Sequence, residues 1–242
     1  MKNPSANTLP PLSPKILAIE SSANQLSAAV MVNGEVVAAR QHLAAHGHAV
    51  GIVPMSIETL EEAGMTFDMI THVAAGCGPG SFTGIRVTLA AAKGFCMAHQ
   101  AKGVGVSGLQ ALAYAAILVA PDIKMPCLAL ADTRRGPLYA QIFDTSAQPM
   151  GPIFEASIQQ LPQMVDTKIA GSDLCVIGTD RITVADELNM AGISATLPDI
   201  DEVPSASMVA RMAYEQIIKN QTGLLRPLYL ADPRLGPKKK SG

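Results

Sequence analysis

The 242-residue chain is 48% hydrophobic and 16% charged, with 18 basic residues against 20 acidic ones and a formal charge of −2. That length supports one large core or two small ones, and that composition excludes global disorder. The charge balance argues against a chain that grips nucleic acid by itself, which needs a basic face, and the apolar excess points to a covered partner interface.

Residues 1–14 carry four prolines and no apolar core segment, so they read as a disordered lead-in and not as a signal peptide. Lys15–Ser21 has the pattern of a buried strand. Ser27–Val32 and Glu35–Arg40 follow as a hairpin around Asn33-Gly34. Helical spacing covers Gly47–Ala63. A fourth strand, Ile70–Ala75, leads into the loop GCGPGSFTGIR, residues 76–86, and then into a helix over Gly84–Ala101. Gly103–Ser107 reads as a strand and Leu109–Val119 as a helix closed by Pro121. Three meandering strands followed by alternating helix and strand suggest a mixed sheet covered by helices. This is the pattern of the actin/sugar kinase/Hsp70 ATPase unit.

A second block starts near Met125. Strands are expected over Met125–Ala131, Leu138–Asp144 and Leu174–Gly178, with helices over Ser157–Val165, Arg181–Met190 and Ser205–Asn220. The expected division is 15–121 for a first subdomain and 122–230 for a smaller, degenerate α/β subdomain. Residues 231–242 are expected to form a flexible tail in which Lys238–Lys240 are solvated, with a weak RNA contact left open. Cys77, Cys96, Cys127 and Cys175 are far apart and form no C-x-x-C pair. Neither a disulfide framework nor a zinc site is expected, and a reducing cytoplasm fits. No run reaches ~18 apolar residues, so no membrane span is expected.

The glycine loop has two readings. In one, the N–H groups of Gly78, Gly80 and Ser81 face an anion at the positive end of the following helix, with a hydroxyl from Ser81 or Thr83. In the other, Gly78, Gly80 and Gly84 permit a tight strand-to-helix turn, and Ser81 or Thr83 caps the helix. A Walker loop is excluded because there is no G-K-[ST].

The stretch GPGSFTGIRVTLAAAKG (78–94) is a specific signature. Together with ILAIESS (16–22), GVSGLQALA (105–113), ADTRRGPLYAQIF (131–143) and RPLYL (226–230), it makes the chain resemble the bacterial TsaB, or YeaZ, family. The resemblance runs from Ile16 to about Leu230. It implies an actin/sugar kinase/Hsp70 ATPase-like (ASKHA) fold of two α/β subdomains. It also implies a non-catalytic subunit of the machinery that makes threonylcarbamoyladenosine in tRNA. The implied partners are the catalytic paralogue TsaD and the ATPase TsaE, with TsaC supplying the threonylcarbamoyl-adenylate. A homodimer in isolation, tRNA contact only through the complex, a cytoplasmic location and no membrane contact follow from the same resemblance. No cofactor is implied, although weak nucleotide binding at the partner interface stays open. This chain departs from the family pattern in having Glu20 where Asp is usual and Gly108 in place of a second serine. A looser Asp132-Thr133-Arg134 with Pro137-Leu138-Tyr139 replaces D-A-R-x-x-E-V-Y. Glu20 weakens any role for the first-strand acid in positioning a nucleotide-bound metal.

The competing class is an independent nucleotide- or metal-dependent enzyme, in line with the family's former label of glycoprotease. The residues give it little. The H-x-x-x-H metal pair of the catalytic paralogue aligns with Gly108 and Leu112, neither of which can ligate. His42 and His46, with His48 nearby, do repeat that spacing. They lack the Glu of H-E-x-x-H and a further ligand, so structural or solvated histidines are expected and no metal. Ser81 lacks a G-x-S-x-G elbow and Cys77 reads as a buried small residue at a strand end.

The helices suggest where a partner sits. In 47–63, Val50, Val53, Ile57 and Leu60 make one stripe, expected on the sheet, and Ile52, Met55, Thr59 and Ala63 a second, expected outside. In 84–101, Ile85, Leu89, Ala92 and Cys96 are bulky, whereas Val87, Ala91, Gly94 and Ala98 form a smaller stripe that admits a close helix. Ile52, Met55, Thr59, Val87, Ala91, Gly94 and Ala98 are therefore the expected interface, unless both helices lie deep in one domain.

Overall fold

The computed structural model describes residues 13–43, 48–122, 124–169, 173–228 and 230. The first half builds β1 (Lys15–Glu20), β2 (Gln25–Val32), β3 (Glu35–Leu43), α1 (His48–Glu62), β4 (His72–Gly76), α2 (Phe82–His99), β5 (Lys102–Val106) and α3 (Gly108–Val119). The second half builds β6 (Cys127–Asp132), β7 (Leu138–Phe143), β8 (Phe154–Ala156), α4 (Leu161–Ile169), β9 (Leu174–Gly178), α5 (Arg181–Met190), β10 (Ala195–Thr196) and α6 (Ala206–Ile218).

Local chemistry sets these boundaries. Asn33 and Gly34 turn the first hairpin with φ of 56° and 85°, a conformation that favours such residues over bulkier ones. Ser81, Ser107 and Ser205 cap α2, α3 and α6, each side chain accepting the N–H three residues on, from Gly84, Gln110 and Met208.

The two sheets repeat one topology. The first has the order β3-β2-β1-β4-β5 and the second, read from its other edge, β8-β7-β6-β9-β10. In each, the first strand pairs antiparallel with the second and parallel with the fourth. This is the ASKHA architecture. The second copy is smaller, since β8 and β10 shrink to three and two residues; neither stood out from its sequence.

Five layers result. Helices α1 and α2 cover the outer face of the first sheet, burying Leu17, Ile19, Val30, Val73, Ile85 and Leu89. Helices α4 and α5 cover the outer face of the second sheet around Leu128, Leu130, Val165 and Leu188. Between the sheets lies the largest cluster, joining Ile16, Ala18 and Val104 to Ala129, Phe143 and Ile177 through α3 and α6. Here the packing crosses the chain order. Helix α3 lies on β6, β7 and β9, and α6, read with the second block, lies on β1, β2 and β4.

Except at Leu60, buried as expected, the two faces of α1 are opposite to expectation. Ile52 and Thr59 are buried in the chain's own core, whereas Val50, Val53 and Ile57 are exposed. The cause is two hidden hydroxyls. Ser56 donates to the Ile52 carbonyl and Thr59 to the Met55 carbonyl, both at 2.7 Å, so these polar residues enter the core without leaving a donor unpaired.

Candidate functional site

The glycine loop joins the end of β4 to α2, and the protein holds it on all sides. The Cys77 N–H donates to the Val106 carbonyl, and the Gly108 N–H to the Gly78 carbonyl, both at 2.8 Å. The Ser81 N–H donates to the Ser22 carbonyl at 2.7 Å. The Gly84 N–H donates to Ser81 Oγ, and the Gly84 carbonyl accepts from Ser21 Oγ. One expected anion donor, the Ser81 N–H, is thus engaged within the loop's own frame, where Ser81 Oγ also serves as an acceptor. Thr83 is exposed on the first turn of α2. The glycines are required by contact. A Cβ on Gly80, whose φ is 152°, would lie 2.3 Å from the Ser22 carbonyl oxygen, and one on Gly84 would lie 1.9 Å from that of Ser21.

The C-terminal segment seals the loop from the other side. Gly223 bridges Gly105, and the Leu228 N–H donates to the Cys77 carbonyl at 2.9 Å. Cys77 is buried, and burial pushes its thiol up to about 11, so it supplies no thiolate nucleophile near neutrality.

The last residue of the first strand in each sheet is an acid: Glu20 in β1 and Asp132 in β6. Their settings differ. Asp132 is exposed and accepts from the Arg134 N–H. Glu20 is fully buried; its Oε1 accepts the Ser22 N–H, and its Oε2 has no hydrogen-bond partner. Burial raises its pKa, against the opposing pull of hydrogen bonds from Ser22 and Ser21. Gly76 provides the room, because a Cβ there would fall 1.4 Å from Glu20 Oε2. This pairing was missed in the sequence, although the longer acid at 20 and the glycine at 76 were both visible.

A cleft of about 150 Å3 separates Ser22, Asn24 and Gly80 from Asp132, Arg134, Thr179 and Glu202. Arg134 spans it, donating from Nη2 to Asn24 Oδ1 at 2.6 Å. Below it, Gln25 Nε2 donates to the Pro204 carbonyl and the Ala206 N–H to Ser27 Oγ, tying α6 and its lead-in to the first hairpin. The cleft offers two carboxylates and one guanidinium that is already engaged.

The other expected positions scatter. Gly108 is buried at the start of α3 and Leu112 is fully buried in the central layer. His42 is exposed on β3, opposite Leu26, and His46 lies outside the described residues. Among the described residues, no three His, Cys, Asp or Glu side chains gather as a metal site would require. Among the same residues, no helix is long and apolar enough to cross a membrane. Of the expected interface, Ile52 and Thr59 are core, and Met55, Val87 and Ala91 are half-buried against the same outer cluster. Gly94 and Ala98 are exposed, with open space beyond Gly94. Val50, 82% exposed, and Met97, 84% exposed, add apolar surface on these two helices.

Comparison with known proteins agrees with this architecture. Residues 34–185 match the family model described as TsaD, tRNA N6-adenosine threonylcarbamoyltransferase. The TsaB protein of Haemophilus influenzae is 35% identical over 101 residues, covering 42% of each chain. That of Escherichia coli is 33% identical over 125 residues, covering 52% of this chain and 53% of its own. The chain thus matches about half the length, or less, of these two relatives. The structure of YeaZ from Pseudomonas aeruginosa superposes with a TM-score of 0.74 at 22% identity, covering 90% of this chain and all of the other. With the family model spanning more than half of its residues and TsaB proteins among its relatives, the chain belongs to the TsaB/YeaZ group of TsaD-like tRNA threonylcarbamoyladenosine biosynthesis proteins.

Proposed function

We propose that this chain is a non-catalytic scaffold in tRNA threonylcarbamoylation. It binds a TsaD-type catalytic paralogue and, with a TsaE-type ATPase, holds that paralogue in an active form. The observation that carries this reading is the environment of residues 108 and 112. Where the paralogue's metal histidines align, this chain has a glycine against Pro204 and a leucine fully inside the central layer. Neither position presents a ligand. The glycine loop supports the same reading, since its Ser81 and Gly84 donors serve the protein's own frame. We assign the loop to positioning α2 and not to holding a phosphate.

The contact surface of this scaffold is the outer side of α1 and α2. Val50, Val53 and Ile57 on α1 and Met97 on α2 are large exposed apolar residues in one helical layer, with Gly94 and Ala98 exposed on α2. Two copies pair through this surface in isolation, the paralogue replaces one copy in the complex, and tRNA is met only there. Ala91 is a poor probe because it already packs on the chain's own core. Gly94→Glu is a clean one. The side chain would enter open space, and losing a mid-helix glycine stabilises the free monomer by about 0.5 kcal/mol. At a close helix contact the same charge would be desolvated, and about 1.4 kcal/mol already means tenfold weaker binding. Sedimentation should show a folded monomer, and reconstituted threonylcarbamoylation should fall at least tenfold. A persistent dimer with full modification would remove the surface from this reading. ATP turnover by the purified chain alone would favour the rival, an independent nucleotide-using enzyme.

A further inference from the structure

Cys127 and Cys175 lie side by side in the second sheet. They are direct register partners on the parallel strands β6 and β9. Partners in register project to the same face, and both belong to the central cluster beneath α3. Neighbouring strands run about 4.8 Å apart, within the roughly 4.4–6.8 Å that a disulfide allows between Cα atoms. The sulfurs also interact in the reduced state. Their contact and their burial raise the pKa of Cys127, and the two thiols titrate as a pair.

A small cavity reaches this pair. It measures about 10 Å3 and is lined by Ala116, Ile117, Ala120, Met125 and the two cysteines. Ile117, Ala120 and Met125, at the end of α3 and the entry to β6, are only half-buried, so this is the side that meets solvent. The space is close to the least that holds one water molecule. Peroxide, with two oxygens, needs more room than that and reaches the sulfurs only as the half-buried residues over the pair shift, a far smaller opening than a tripeptide disulfide requires.

We propose that Cys127 and Cys175 are a reversible dithiol site whose substrate is hydrogen peroxide and whose product is a disulfide between β6 and β9. Either sulfur can react first; with Cys175 first, it reacts as the thiolate. Its sulfur forms a bond to one peroxide oxygen, the O–O bond breaks, and hydroxide leaves to take up the proton that Cys175 released. Cys127 sulfur then attacks the sulfenic sulfur of Cys175. The S–S bond forms, the S–O bond breaks, and the departing hydroxide takes the Cys127 proton. Two thiols and one peroxide thus give one disulfide and two waters, with sulfur oxidised and peroxide reduced. Cys77 and Cys96 take no part, because each stands apart from this pair in the other half of the fold.

The test uses the folded full chain. It is treated with peroxide, quenched, denatured and alkylated, and its linked peptides are mapped. Two of its four cysteines should be lost to alkylation, in a single Cys127–Cys175 linkage that dithiothreitol reverses. Glutathione disulfide at the same concentration should leave all four free. In Cys127→Ser, Cys175 should stop at a sulfenic acid that dimedone captures once the chain is denatured. The mapping of the wild-type chain decides the matter even if that variant folds poorly. Four free thiols after peroxide, a linkage involving Cys77 or Cys96, or equal oxidation by glutathione disulfide would overturn the proposal.

Discussion

Replacing Glu20 by glutamine should flatten the dependence of stability on pH and make the protein more stable at neutral pH. Glu20 is fully buried, and burial raises its pKa above the ordinary 4.5. The folded chain therefore keeps a proton that the unfolded chain gives up. The stability that this group contributes is fully present below pH 4.5. It is lost as the pH rises from there towards the folded-state value. Each pH unit crossed within that window removes about 1.4 kcal/mol. Glutamine keeps Oε1 as an acceptor for the Ser22 N–H and puts a neutral amide where Oε2 now lacks a partner. That orphaned amide costs about 1–3 kcal/mol, so the variant gains nothing at pH 4.5. Urea unfolding between pH 4.5 and 8 checks this. The variant's stability relative to wild type should climb by about 1.4 kcal/mol per unit through the window, with an unchanged denaturant slope. A constant difference across that range would show that Glu20 titrates alike in both states, and the account of its burial would fall.

The glycine facing Glu20 gives a second prediction. Gly76→Ala puts a Cβ 1.4 Å from Oε2 and should cost about 1–3 kcal/mol as an overpacked core. Glu20→Asp, by shortening the acid, should recover much of that loss; additive losses in the double-mutant cycle would deny the contact. Gly80→Val combines a φ of 152° with a Cβ 2.3 Å from the Ser22 carbonyl oxygen. It should cost about 3 kcal/mol or more, and a near-normal thermal midpoint would contradict the tight turn.

The sheets were legible in the sequence because their signals are local. Buried runs such as Ile16–Ile19 and the turn at Asn33-Gly34 state their conformation without reference to the rest of the chain. The short strands β8 and β10 carry no such pattern, since they are largely half-buried and owe their form to a neighbouring strand. The phase of α1 was misread for a different reason. Ser56 and Thr59 look like outward residues until their hydroxyls are seen folded back on the helix. At the loop, the sequence showed that Gly78, Gly80 and Gly84 were special but not what they approach. Gly80 and Gly84 approach Ser22 and Ser21, some sixty residues earlier, and only the fold brings them together. The same holds for Arg134 and Asn24 across the cleft, whose separation of 110 residues hides their contact.

The crossed packing of α3 and α6 bears on how the molecule can come apart. Each half of the chain supplies the helix that roofs the other half's sheet. A cut near residue 121 would strip α6 from Ile16, Ala18 and Ala29, and α3 from Ala129 and Ile177, leaving both inner faces bare. The halves resemble two independent copies, yet neither is a module that could be lifted out. Unfolding should spread through both sheets as one cooperative event.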